Sequence, residues 1–187
     1  MAKRTSIIFA CLFALGTAIG GYPLYLQLVG NFHTVIEGQL YRSAQPTPHQ
    51  LERYVASHGI KSIINLRSSG DRGTWYSAEL ATADKLGVEH VDFPMSASKV
   101  LSTERADQLV ALMASLPKPI LIHCQAGADR TGLASALFAS RIAGRDEEAA
   151  ERQLSYFFGH VGIPRLSAAY AMDESWENLE VHFGIEG

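Results

Sequence analysis

Ten consecutive residues constrain this chain more than anything else in it: His123-Cys124-Gln125-Ala126-Gly127-Ala128-Asp129-Arg130-Thr131-Gly132. The apolar run Pro119-Ile120-Leu121-Ile122 leads in with strand character, and Leu133 to Ile142 leads out with helical spacing. A loop so placed joins a strand C-terminus to a helix N-terminus, where successive backbone N–H groups lack intrahelical acceptors and converge on an anion. Cys124, at its floor, faces those dipoles and Arg130, and both favour the nucleophilic thiolate. The guanidinium of Arg130 offers a planar fork that matches two oxygens of a tetrahedral phosphate, and Gly127 lets the backbone approach closely. Thr131 can donate its hydroxyl hydrogen to the sulfur as the sulfur departs. The set suits cleavage of a phosphate ester through a cysteinyl-phosphate, with the amides of Gln125, Ala126, Gly127, Ala128, Asp129 and Arg130 as the cradle.

Taken singly, a cysteine after a buried strand is an ordinary small hydrophobe and an arginine at a helix start an ordinary solvated cation. Together, at these offsets, they are expected by chance on the order of once per several hundred thousand chains. The string H-C-x5-R-[S/T]-G resembles the signature of the cysteine-dependent protein tyrosine phosphatase superfamily, in particular its compact dual-specificity and bacterial tyrosine phosphatase branch. Gly38-Gln39-Leu40-Tyr41-Arg42-Ser43-Ala44-Gln45-Pro46 and Ile63-Ile64-Asn65-Leu66-Arg67 are similar to the same branch, and the resemblance covers roughly residues 32 to 180. Rhodanese-type sulfurtransferases resemble it less, because their loop to the closing arginine is usually one residue shorter. Low-molecular-weight phosphatases share the spacing but carry the loop near the N-terminus. The resemblance implies an α/β fold with a central, mostly parallel sheet flanked by helices, and phosphotyrosyl protein as the usual substrate. It also implies that His123 holds the loop's shape by hydrogen bonds to loop backbone.

Expelling an alkoxide or phenoxide from phosphorus calls for a proton donor near the leaving oxygen. The wider family takes this acid from a mobile loop, which here reads Pro94-Met95-Ser96-Ala97-Ser98-Lys99-Val100 and holds no carboxylate. Two candidates remain. Asp129 directly precedes Arg130, as in the C-x-x-G-x-D-R loops of myotubularin-like and some bacterial lipid and tyrosine phosphatases, and ranks first; Asp92, at a strand end, ranks second. A carboxylate favoured by a helix dipole is the plainer reading of Asp129, and a strand-end surface residue that of Asp92. Arg67 and Arg72 could extend the positive field, although a surface or salt-bridged arginine is the better account of each.

With 187 residues and 47% hydrophobic content, the chain can bury one core. A net charge of -3 gives no basic face for nucleic acid, and no such partner is expected. Its two cysteines, Cys11 and Cys124, make neither a disulfide framework nor a metal site, and the seven histidines show no ligand spacing. No metal or other cofactor is expected, and the oligomeric state stays open. Residues 1–30 differ from the rest: Lys3 and Arg4 precede a run from Ser6 to Val29 without a charged side chain, and no Lys or Arg returns before Arg42. That pattern predicts an apolar helix serving as a membrane anchor, with residues 31–187 as an exported catalytic domain. Secretion after cleavage near Gly16-Thr17-Ala18 is the competing reading, disfavoured because apolar and aromatic residues continue through Val29. The substrate is then a phosphorylated protein or a phospholipid headgroup, and a non-catalytic binder of phosphorylated ligands is a third reading.

Along the domain, strand-like and helix-like segments alternate. Thr47-Pro48-His49-Gln50 predicts a capped helix closed by Gly59, with Leu51, Tyr54, Val55 and His58 on one face. Ile60 to Leu66 predicts a strand, Ser69 to Gly73 a loop, Trp75 to Leu86 a helix closed by Gly87, and Val88 to Phe93 another strand. Ser102 caps a helix with an apolar stripe of Ala106, Leu109, Val110, Met113 and Leu116. Asp146 predicts a helix running through Phe158, and Pro164 predicts one carrying Leu166, Ala169, Met172 and Trp176.

Overall fold

The computed structural model describes residue 16, residues 20–67 and residues 73–185. Five strands form one sheet in the order β1-β2-β5-β3-β4, where β1 is His33–Ile36, β2 Leu40–Ser43, β3 Ser62–Asn65, β4 Glu89–Asp92 and β5 Ile120–His123. Only β1, paired with β2, runs antiparallel; β2, β5, β3 and β4 are parallel. In register, Ser43 and Asn65 both lie beside His123, and Asp92 lies beside Asn65. The C-terminal ends of the parallel strands therefore finish on one line, where ligands of such sheets bind.

Successive strand side chains point to opposite faces, and this splits the core in two. Leu40, Ile64, Ile120 and Ile122 pack against α3 (Thr103–Ser115), α4 (Asp129–Arg141) and α6 (Tyr170–Phe183). Tyr41, Ile63 and Leu121 pack against α1 (Pro48–His58) and α2 (Thr74–Leu86). The expected α/β sheet flanked by helices is thus the observed one. Helix α4 is buried along nearly its whole length, from Thr131 to Ala139, so the loop that feeds it is held by the core.

Helix boundaries follow their caps. Thr47 and Gln50 form the capping box of α1, and Gly59 and Gly87 close α1 and α2 in the left-handed conformation. Ser102 accepts the Arg105 N–H and opens α3. Two expectations for the C-terminal third are corrected. Asp146 does cap a helix, but that helix, α5, spans only Glu147–Glu151; Ser155 is extended, and a separate 3-10 turn covers Tyr156–Phe158. The break brings the Gln153 carbonyl inward, where Arg42 takes it. Nor does Pro164 open a helix, because Arg165 adopts φ 65 and halts helical progress, so α6 begins at Tyr170 and Leu166 is 84% exposed.

Residues 20–29 are helical and lead into Asn31. Most of the expected apolar span lies outside the described residues, as do Cys11 and Arg72 and most of the expected loop from Ser69 to Gly73. Among the described residues no helix is long and apolar enough to cross a membrane.

Candidate active site

Cys124 follows the last residue of β5, is 2% exposed and makes no disulfide. The four residues after it form a bend that leads into α4, and the bend is fixed from outside. The Gln125 carbonyl accepts the Gln45 N–H at 3.2 Å, and the Ala126 carbonyl accepts Asn31 Nδ2 at 2.9 Å. Arg42 Nη2 donates to the carbonyls of Gly127 at 2.9 Å and Ala128 at 3.2 Å. In a trans peptide the N–H points opposite to the carbonyl of the preceding residue. Four carbonyls turned outward therefore turn the amides of Ala126, Gly127, Ala128 and Asp129 inward. Gly127 has φ +70, and a Cβ there would stand 2.5 Å from the Ala44 nitrogen and 2.6 Å from the Ser43 carbonyl carbon. The close approach expected at Gly127 is thus to the end of β2, which no larger residue permits.

Arg130 lies in the first turn of α4. Its Nη1 donates to the carbonyls of Leu66 at 3.3 Å and Met95 at 3.5 Å, while its Nε is buried without a hydrogen-bond partner among the described residues. Two carbonyls from the ends of neighbouring strands thus aim the guanidinium. Thr131 Oγ1 is likewise buried and unpartnered, so in this structure it does not bond the Cys124 sulfur. The expectation for His123 is corrected: its Nε2 lies 3.1 Å from Glu79 Oε1, and its Nδ1 has no partner among the described residues, so its ring does not bond the loop backbone. The residue acts on the loop from below, through its carbonyl, which accepts the Leu66 N–H, and through Glu79.

The two acid candidates separate. Asp92 accepts Asn65 Nδ2 at 2.9 Å on one oxygen and the Tyr76 hydroxyl at 2.5 Å on the other, which ties β3, β4 and α2 together. Asp129, in the loop itself, bonds His160 Nδ1 through Oδ1 at 2.8 Å and makes no hydrogen bond through Oδ2 among the described residues. Arg67, 8% exposed, lies over the Trp75 ring at 3.9 Å and donates to Gln45.

Four residues of the site were missed in the sequence. Arg42 is fully buried, lies over the Phe158 ring at 4.0 Å and also donates to Gln153; burial pulls its pKa down to about 9, against the opposing charges of Cys124 and Asp129. It is a fixed cation behind the loop. Its signal was the Tyr41-Arg42-Ser43 string, because a charged residue in a strand that is otherwise buried must have partners. Asn31 and His160 gave no local signal. Glu79 lies between His90 Nε2 at 2.7 Å and His123 Nε2, and also accepts Gln45 Nε2. Burial alone would raise its pKa, but the charge and hydrogen bonds of the two histidines outweigh that and bring it down to about 2. Glu79, His90 and His123 place their ligand-type atoms within 4.8 Å of one another, a grouping that the spacing of histidines along the chain does not reveal.

A thiol beneath inward-facing amides, with an arginine at the rim and the ends of a parallel sheet for support, is the arrangement of a cysteine-based phosphatase. The chain belongs to the tyrosine phosphatase family, whose model matches residues 19–153. It is homologous to the dual specificity protein phosphatase TpbA of Pseudomonas aeruginosa, at 26% identity over 144 residues, 76% of this chain and 62% of the relative. The chain therefore spans about 62% of the length of the curated relatives it matches. The crystal structure of P. aeruginosa TpbA superimposes with a TM-score of 0.60 at 25% identity, over 83% of this chain and 92% of that one. PTPMT1 in complex with PI(5)P shares the fold, with a TM-score of 0.60 at 15% identity over 81% of this chain and 98% of that one.

Proposed function

We propose that the chain hydrolyses phosphate monoesters through a cysteinyl-phosphate, with phosphotyrosyl protein as its substrate. The observation that carries this is the outward pinning of four consecutive loop carbonyls, which leaves the amides over Cys124 without internal acceptors and ready for the oxygens of a phosphoryl group. In the first step the Cys124 thiolate attacks phosphorus, the ester bond breaks, and the leaving oxygen takes a proton from Asp129. In the second, water attacks phosphorus, gives its proton to Asp129, and the sulfur departs. Arg130 clamps two equatorial oxygens throughout, and its unpaired Nε is available for that contact. Thr131, with no competing acceptor, serves the departing sulfur. Asp129 takes the acid's role because its outer oxygen is available, whereas both oxygens of Asp92 are engaged. The substrate class is supported by the kinship with TpbA, a variant of which has been crystallised in complex with pTyr.

A phosphoinositide or other phospholipid headgroup is the second reading. It is favoured by the uncharged run from Ser6 to Val29, which would hold the domain on the exported side of a membrane, within reach of such headgroups. Phosphate release from phosphotyrosine peptides, measured against release from phosphatidylglycerophosphate and phosphoinositide vesicles, separates the two. Cys124→Ser is expected to abolish turnover of a small aryl phosphate while oxyanion binding survives. Binding without turnover in the unaltered chain would instead make it a phospho-ligand binder.

A further inference from the structure

His160 stands where the reaction proposed above has no use for it. It lies on the turn after the 3-10 helix, is 4% exposed, and is gripped at both ends: Nδ1 lies 2.8 Å from Asp129 Oδ1 and Nε2 lies 2.9 Å from Asp173 Oδ2. A neutral imidazole has one N–H, so between two ionised carboxylates one contact would set lone pair against lone pair. Both contacts are hydrogen bonds only if the trio holds one proton more than a neutral histidine and two carboxylates. That extra proton sits beside Asp129, the residue that must deliver one.

We propose that His160, clamped by Asp173, is a positioning residue that orients Asp129 and resupplies it with the proton given to the leaving oxygen. The inference rests on Asp129 being the acid. The charged groups that face His160 are Asp129 from α4 and Asp173 from α6, and Glu151 of α5 adds its charge beside Asp173. Burial works against an imidazolium, but the hydrogen bonds and charges of the two aspartates outweigh it and hold the His160 pKa above its ordinary value. Gly162 makes room for the clamp, since a Cβ there would fall 2.0 Å from Asp173 Oδ2.

The protons balance. The proton on Nδ1 passes to the Asp129 carboxylate, and from that carboxyl group to the leaving oxygen as the S–P bond forms and the P–O bond breaks. When water attacks, the new P–O bond forms and the S–P bond breaks. The water's proton then goes to Asp129 and back to Nδ1, so His160 ends the cycle as it began. Asp173 stays ionised and stabilises the imidazolium.

The test uses the full chain with two aryl phosphates, one whose leaving group needs a proton (phenyl phosphate) and one whose leaving group does not (2,4-dinitrophenyl phosphate). His160→Gln cannot carry a proton, and is expected to lower kcat about tenfold or more on phenyl phosphate and less than about twofold on the dinitrophenyl ester. It should also shift the alkaline limb of the phenyl phosphate pH profile to lower pH. Asp173→Asn, on a more exposed side chain, is expected to give the same pattern with a smaller drop, and supplies the readout if His160→Gln does not fold. Equal losses on both esters, or an unmoved pH profile, would overturn the inference and leave His160 a packing residue. Asp129→Asn distinguishes the two levels. If it shows no dependence on leaving group, the acid assignment fails and this inference with it; if it does and His160→Gln does not, only the inference about His160 fails.

Discussion

Arg42 is a buried cation with no carboxylate at salt-bridge distance among the described residues, and its hydrogen-bond partners are four carbonyl oxygens, those of Gly127, Ala128 and Gln153 and the side-chain amide of Gln153. An uncompensated charge is tolerated there because the proposed resting thiolate and the incoming phosphate are both anionic, so the positive potential it costs to bury is spent at the reacting atoms. Arg42→Met removes that potential and leaves buried carbonyls unpaired. It is expected to cost about 1–3 kcal/mol in urea unfolding and to lower kcat/KM, while Arg42→Lys, a point charge that cannot reach all the carbonyls, recovers only part of each. Gly127→Ala meets backbone rather than a flexible side chain, and is expected to destabilise by about 1–3 kcal/mol with loss of turnover. Circular dichroism melts together with aryl phosphate kinetics check both variants.

Among the elements, α2 reaches His123, at the base of the site, through Glu79, and that contact makes stability depend on pH. The Glu79 carboxyl is held at about 2, below its ordinary 4.5, so the unfolded chain binds a proton there that the folded chain does not. Its stabilisation is fully present above about pH 4.5 and is lost as pH falls toward about 2. Urea midpoints followed from neutral pH into acid are expected to fall more steeply for the unaltered chain than for Glu79→Gln, with the two curves converging in acid. The same elements show what a sequence can disclose. The strand, loop and helix around Cys124 were legible because their signals sit within a short stretch, and the ends of α1 and α2 were legible because Gly59 and Gly87 close them locally. Arg42, Asn31 and Glu79 act across separations of 85, 95 and 44 residues, which only the order of the strands brings together. The short α5 was overread because its stop depends on Gln153 turning toward Arg42, a tertiary contact with no sign at the cap. β1 and β2 passed unread as strands because four residues each carry too little periodicity to declare themselves.

At the scale of the whole molecule, the loop after Cys124 is joined to the helical residues 20–29 and to Asn31. Asn31, in a left-handed conformation with φ 42, donates both to the Ala126 carbonyl and to the Phe158 carbonyl, while its own N–H bonds Leu26 and the Gly30 carbonyl accepts Ala44 N–H. Tyr22 donates to the Phe157 carbonyl from the same helical segment. Shortening the chain to begin at residue 20 is expected to leave aryl phosphate turnover unchanged, whereas beginning at residue 34 should lower both kcat and the melting temperature. Parallel kinetics and melts on the two shortened chains give the answer. Asn31 thus works as a linchpin between the leading helix and the loop after Cys124: cleavage after Ala18 would spare it, whereas a strain pulling residues 20–29 off the domain would slacken that loop from a distance.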